Sequence, residues 1–200
     1  MIDLTRTTTA LLEGLGRSVD DGTAWATLDA RYQPLLINLG RRYGLTNAEA
    51  ADAAQDTMLD FLKAYREGRY DPGKGRLRSW MIGIHRRRMI DIVRDRSKRN
   101  VVGGATIADQ EPGDAELEHA WDEERAQIVL EDAMRALREE SGTADRTIRA
   151  FELVGLRGLT ASAAAEQLGM SVSDVYVAKS RCLKRLRVLV EEREHAFEGD

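Results

Sequence analysis

The stretch that decides the fold is Thr160-Ala161-Ser162-Ala163-Ala164-Ala165-Glu166-Gln167-Leu168-Gly169-Met170-Ser171-Val172-Ser173-Asp174-Val175. Thr160 can cap a short helix over Ala161–Leu168, and Gly169 supplies the turn that ends it. Ser171 with Asp174 three residues on reads as a capping box for a second helix reaching about Glu192. Helix, glycine turn and longer helix is the arrangement of a helix-turn-helix. In the second helix Val175, Ala178, Cys182, Leu186 and Leu189 fall on one face, predicted to be core. Ser173, Tyr176, Val177, Ser180, Arg181, Lys184 and Arg187 fall on the other, a set able to touch base edges and neutralise phosphates. A solvated basic face on an ordinary helical hairpin is the competing reading, and the spacing fits it less closely.

Working towards the N-terminus, a second basic stretch stands out. Between Lys63 and Arg99 thirteen bases meet four acids, a local charge of +9 in a chain whose total is −4. Asp109 to Glu140 holds twelve acids against Arg125, Arg135 and Arg138. Charge is therefore segregated along the chain, as in a protein with separate tasks. The basic stretch reads as a helix from Leu77 to about Arg96, preceded by the loop Gly68-Arg69-Tyr70-Asp71-Pro72-Gly73-Lys74-Gly75. Guanidiniums with Tyr70 and Trp80 could hold single-stranded DNA, because cations bind phosphate and aromatic rings stack on unpaired bases. On that helix Arg88 and Asp91 are spaced to pair with each other.

An earlier helix, Ala48 to about Arg66, repeats Ala54, Met58, Phe61, Leu62 and Tyr65 on its apolar side and displays Asp52, Gln55, Asp56, Leu59 and Lys63. Thr46 or Asn47 can cap it. Before it, Thr23 to Tyr43 is amphipathic, with Pro34 as a kink or a new helix start. Asn100 to Pro112 breaks helical periodicity, and helices from Glu116 to Arg138 and Ala144 to Leu156 follow. The expected fold is all-α: two small helical domains, 23–99 and 116–195, joined by a flexible acidic linker over 100–115, the C-terminal domain a helix-turn-helix. Residues 1–22 read as an N-terminal extension with a helical stretch near Ala10-Leu11-Leu12, and the tail after Glu194 is expected to fray.

Composition excludes other classes. The 200 residues are 42 % hydrophobic, 6 % aromatic and 32 % charged, which suits a helical chain and not a sandwich or a disordered acid. One cysteine forms no intramolecular disulfide and suits a reducing cytoplasm. No stretch nears the roughly 18 apolar residues that span a bilayer, and the first residues lack a signal-peptide pattern, so neither export nor membrane association is expected. Pro72-Gly73-Lys74-Gly75 lacks the glycine spacing of a nucleotide loop. Asp52, Asp56 and Asp60 recur every four residues, but no histidine or cysteine accompanies them, so no metal, no cofactor and no catalytic set is expected. A displayed acidic docking face fits them better.

These pieces, in this order, resemble a bacterial sigma factor of the extracytoplasmic-function group, over about Thr23 to Arg187. Ala48-Glu49-Ala50-Ala51-Asp52-Ala53-Ala54-Gln55-Asp56-Thr57-Met58 is similar to that family's region 2.2. The resemblance implies docking on core RNA polymerase, at the clamp helices of its β′ subunit, by Asp52, Gln55, Asp56 and Leu59. Arg76-Leu77-Arg78-Ser79-Trp80-Met81-Ile82-Gly83-Ile84 and Arg86-Arg87-Arg88-Met89-Ile90-Asp91 resemble regions 2.3 and 2.4, which open and read the minus-ten element. Arg69, Tyr70, Lys74, Arg76, Arg78, Trp80, Arg86, Arg87 and Arg94 are then its implied contacts, and the loop Arg69 to Gly75 would receive a flipped base. Arg87 stands where many relatives carry Asn. Leu168 to Val175 resembles region 4.2, which binds the minus-thirty-five element. That likeness implies base contacts at Ser173, Tyr176, Val177 and Ser180, a DNA contact at Ser171, phosphate contacts at Arg181, Lys184 and Arg187, and a second polymerase contact at the β flap. Promoter DNA, duplex and melted, is the implied partner, with an anti-sigma factor as a possible one. A stand-alone helix-turn-helix regulator is the alternative, and it would need only the C-terminal half. The overall negative charge predicts weak DNA binding by the free chain.

Overall fold

The computed structural model describes residues 7–17, 22–71, 73–99, 112–139 and 142–197. Among them are eight α-helices and no strand: α1 Thr8–Arg17, α2 Gly22–Arg42, α3 Asn47–Arg66, α4 Leu77–Arg99, α5 Asp114–Glu139, α6 Asp145–Phe151, α7 Ala161–Leu168 and α8 Val172–Glu194. They form two compact units, Met1–Ile128 with Ala196–Asp200, and Val129–His195. The division falls inside α5, whose first half belongs to unit 1 and second half to unit 2. Of the expected linker, residues 100–111 lie outside the described residues.

Unit 1 is built on the pair α2 and α3. Leu28, Tyr32, Leu35, Leu36 and Leu39 of α2 are fully buried, at the spacing of one helical face. Pro34 lies inside this helix, which continues through it and does not restart there. Gly40 permits the close approach of α3: a Cβ at Gly40 would stand 3.2 Å from the Ala50 Cβ. The Thr46 capping box starts α3, with Glu49 N–H donating to Thr46 Oγ1 at 3.3 Å and Thr46 N–H to Glu49 Oε2 at 2.8 Å. Ala54, Met58 and Phe61 then face inward, and α4 adds Leu77, Met81, Ile84 and Met89 to the core.

His85 of α4 is completely buried, and its Nδ1 lies 2.9 Å from Thr57 Oγ1. That hydroxyl donates to the Ala53 carbonyl at 2.6 Å, so it accepts from His85 and fixes the Nδ1–H tautomer. Burial lowers the imidazole from 6.5 to about 4, against partial support from backbone groups, so the ring is neutral near pH 7.

The helical stretch expected near Ala10-Leu11-Leu12 is present, and both ends of the described chain pack into unit 1. The N-terminal stretch is a ten-residue helix whose Leu11, Leu12 and Leu15 are buried, and Tyr65 donates from its hydroxyl to the Leu12 carbonyl at 2.9 Å. Of the tail after Glu194, residues 195–197 form a short helical turn with Ala196 and Phe197 buried in unit 1, and residues 198–200 lie outside the described residues. Arg31, itself buried, donates to the Ala196 carbonyl at 2.6 Å and to Thr8 Oγ1 at 3.2 Å, with its guanidinium 5.5 Å from the Phe197 ring centre. A buried guanidinium needs acceptors and tolerates an aromatic face, and the returning tail supplies both.

Unit 2 packs Ala133 and Leu137 of α5 against Ile148, Phe151, Cys182 and Leu189. A second cluster joins Leu153, Ala164, Ala165 and Val175. The helix expected over Ala144 to Leu156 begins at Asp145 and widens to a π turn over Glu152–Leu156. No described helix is long and apolar enough to cross a membrane.

Candidate nucleic-acid and polymerase-facing surfaces

On α3 the displayed row emerges as the periodicity requires. Asp52, Gln55 and Asp56 are exposed, and Leu59 is 53 % exposed, a large apolar side chain left in water beside two acids. Asp60, one turn further on, is drawn out of this row by Arg88 of α4, whose Nε donates to Asp60 Oδ2 at 3.0 Å. That hydrogen bond holds the guanidinium above its ordinary range. Arg88 therefore pairs across to α3 and not with Asp91 on its own helix, because a neighbouring helix brings a carboxylate within reach of its fork.

The loop between α3 and α4 delivers Tyr70 onto Trp80. Their rings stack with centroids 5.1 Å apart and 19° between planes, and Trp80 meets Phe61 edge-on at 5.6 Å. Two cavities flank this pair. One, of about 300 Å³, is lined by Arg69, Tyr70, Lys74, Arg76 and Trp80. The other, of about 570 Å³, is lined by Asp60, Lys63, Arg69, Trp80, Arg87 and Arg88. Arg69 and Trp80 border both, so a planar base and a phosphate could each find a partner here. Arg69 is paired with Glu67, and Lys74 lies 3.6 Å from Asp71. Arg76, Arg87 and Arg94 are exposed.

Two of the expected strand contacts are engaged by the segment that opens α5. Arg78, with a side chain only 14 % exposed, donates to Asp122 of α5 at 2.6 Å and stands 4.0 Å from Glu118. Arg86 donates to the Pro112 carbonyl at 3.0 Å and lies 3.5 Å from Asp114. Ser79 adds a 2.6 Å bond to Glu118. The sequence divides the acids between Asp109 and Glu140 between a linker and a helix from Glu116. What periodicity could not show is that Leu117, Ala120 and Trp121, all buried, fix this half of α5 within unit 1.

In unit 2 the helix-turn-helix stretch has the expected local chemistry. Thr160 accepts from Ala163 N–H at 3.2 Å, and Ser171 accepts from Asp174 N–H at 3.0 Å. Gly169 takes φ +58°, a left-handed conformation in which a side chain would be strained. Arg146 of α6, which no spacing singled out, donates to the Leu168 carbonyl at 2.5 Å and also to that of Gly169. Beyond the turn, Ser171, Ser173, Tyr176, Val177, Ser180, Arg181, Lys184 and Arg187 are all exposed, Tyr176 by 59 %. Val175, Ala178, Cys182 and Leu189 are buried, and Leu186 is half-buried. Burial, with Glu152 nearby, pushes the Cys182 thiol up, which keeps it protonated and inert as a nucleophile. Among the described residues no group of three histidine, cysteine or acidic side chains is placed to hold a metal ion.

Comparison with known families agrees with the geometry of unit 1. Residues 28–99, from the start of the α2 core through α4, match the family described as Sigma-70 region 2, so the chain carries a sigma-70 region 2 domain. A sigma-70 region 2 domain binds core RNA polymerase and promoter minus-ten DNA, and its presence implies a non-enzymatic role in promoter recognition and melting. Among curated proteins, none matches the chain.

Proposed function

We propose that the chain is a two-domain sigma factor of the extracytoplasmic-function group, with domains over 23–99 and 116–195 and a linker over 100–115. The observation that carries this reading is the presence, in one chain, of a region 2 domain and a separate unit whose α7, Gly169 turn and α8 expose a mixed polar and basic helix face. In this reading unit 2 is a region 4 helix-turn-helix that grips the minus-thirty-five duplex. Ser173, Tyr176, Val177 and Ser180 reach base edges there, Ser171 touches the DNA at the start of the helix, and Arg181, Lys184 and Arg187 reach phosphates. The loop Arg69 to Gly75 and Trp80 capture the melted minus-ten strand, with Arg76, Arg78, Arg86, Arg87 and Arg94 along its backbone.

Asp52, Gln55, Asp56 and Leu59 dock on the β′ clamp helices, and unit 2 engages the β flap. Polymerase supplies the catalysis and this chain the promoter choice, acting in the cytoplasm. Two modest affinities, tethered to each other and to the enzyme, multiply through effective concentration. The exposed Val172, Tyr176 and Val177 also give an anti-sigma protein an apolar surface to cover.

The test is co-elution of the chain with sigma-free core RNA polymerase on gel filtration. Wild type is expected to co-elute and the Asp52→Arg/Asp56→Arg double variant to lose at least tenfold in affinity. Failure of the wild type to bind core polymerase would favour a stand-alone regulator acting through unit 2 alone.

A further inference from the structure

In the free chain, two arginines that the proposed reading gives to the melted strand already hold anions. Arg78 and Arg86 face Asp122, Glu118 and Asp114, all from the first half of α5, and Ser79 donates to the same Glu118. A guanidinium fork binds carboxylate and phosphate with the same geometry, so these carboxylates occupy the places that strand phosphates would take. We propose that the first half of α5 is a built-in electrostatic brake, competing with DNA phosphates for Arg78 and Arg86. The inference rests on the reading of α4 as the strand-binding helix.

Two features suit this segment to competition. Its apolar side is fixed in unit 1 by Leu117, Ala120 and Trp121, with Trp121 stacked 5.9 Å from Tyr32, so the acids are held at α4 and not on a wandering tail. Its carboxylates remain wet, with Asp122 41 % and Asp114 84 % exposed. The Arg86 pair is wet on both sides and the Arg78 pair through its carboxylates, and ion pairs that water reaches are weak and screened by salt. A run of strand phosphates held nearby by Arg69 and Arg87 can therefore displace them by side-chain rotation, with the helix left in place. A single stray phosphate gains little against a carboxylate already seated. The consequence is discrimination against casual single-stranded nucleic acid, present before any polymerase is bound.

The experiment measures binding of the full chain to a fluorescein-labelled, mixed-sequence single-stranded 20-mer by anisotropy across a salt series. Glu118→Gln/Asp122→Asn is expected to bind about tenfold more tightly than wild type at 0.1 M salt. Its salt slope should steepen by about 0.7 for each strand phosphate newly contacted. Adding Arg78→Ala to that background should abolish the gain. Glu139→Gln/Glu191→Gln, which removes the same charge from exposed positions of unit 2, should gain less than twofold. The brake is overturned if the first pair gives no gain, if the control pair gives as much, or if the gain survives Arg78→Ala. Tryptophan fluorescence melts confirm that each variant keeps unit 1 folded. A different result, in which Arg69→Ala/Arg87→Ala leaves wild-type binding unchanged, overturns the strand reading and the brake with it.

Discussion

Two basic helices, α4 and α8, look alike as sequence and differ as structure. On α8 the outward cations Arg181, Lys184 and Arg187 are exposed, and none forms an ion pair among the described residues. On α4, Arg78, Arg86 and Arg88 are each engaged by a carboxylate from another helix. Helical spacing says which way a side chain points, and on α8 the two faces emerge as it gives them. It does not say what a distant segment brings against that face. The lesson is that a run of positive charge measures binding capacity only after its intramolecular partners are subtracted.

The largest effect should come from removing the residue that anchors α5 in unit 1. Trp121→Ala deletes a fully buried ring, and roughly 3–5 kcal/mol of stability should be lost. Urea melts followed through Trp25 and Trp80 read this change directly, since both lie in unit 1. Hydrogen exchange of Val175 to Leu189 should stay as protected as in the wild type. Equal loss of protection there would break the contrast between the two helices, because α8 would then depend on the same anchor.

An effect of intermediate size is expected from pH. His85 is neutral in the folded chain, with its value lowered to about 4 by burial, while the unfolded chain takes up a proton near 6.5. The associated stability is fully present above pH 6.5 and is lost as pH falls through about 4. At pH 5 the loss should be about 2 kcal/mol, confined to unit 1. His85→Gln should flatten that slope while lowering stability at neutral pH. An unchanged slope between pH 6.5 and 5 in the variant would show that other groups govern it.

The smallest effect sharpens the comparison on the other side. Ser171→Ala removes the hydroxyl that caps α8, costing about 1 kcal/mol of local helix stability. Faster hydrogen exchange should appear in the first turn of α8 and nowhere in α4. No change in that turn would mean that Arg146, holding the preceding carbonyls, already fixes it.

Legibility followed the range of the interactions. Capping at Thr46, Thr160 and Ser171, the Gly169 turn and the inward faces of α3 and α8 depend on residues three or four apart, and the sequence shows them. The exposed row Asp52, Gln55, Asp56 and Leu59 was visible for the same reason, as was the nearness in sequence of Tyr70 and Trp80 within one basic stretch, though not the stacking of their rings. What could not be seen joins distant segments: Arg88 to Asp60, Arg78 to Asp122, Arg146 to the turn, and Phe197 to Tyr32 and Arg31. No periodicity spans such separations, and each decides whether a charged side chain is available. The packing of residues 195–197 was missed on the same ground, since an apolar pair such as Ala196 and Phe197 is sticky only if something far away is shaped to receive it.

That returning tail has a consequence for the order in which the molecule comes into being. Arg31 and its carbonyl acceptor at Ala196 are 165 residues apart, and Thr8 and the same carbonyl 188. A ribosome adds roughly 5–20 residues each second, so the guanidinium waits on the order of ten seconds or more for its partner. Val129–His195, whose contacts are nearer in sequence, can be complete before the unit translated first is closed. The unit whose helices are made first therefore stays open until its last turn arrives, directly after the final residue of the second unit.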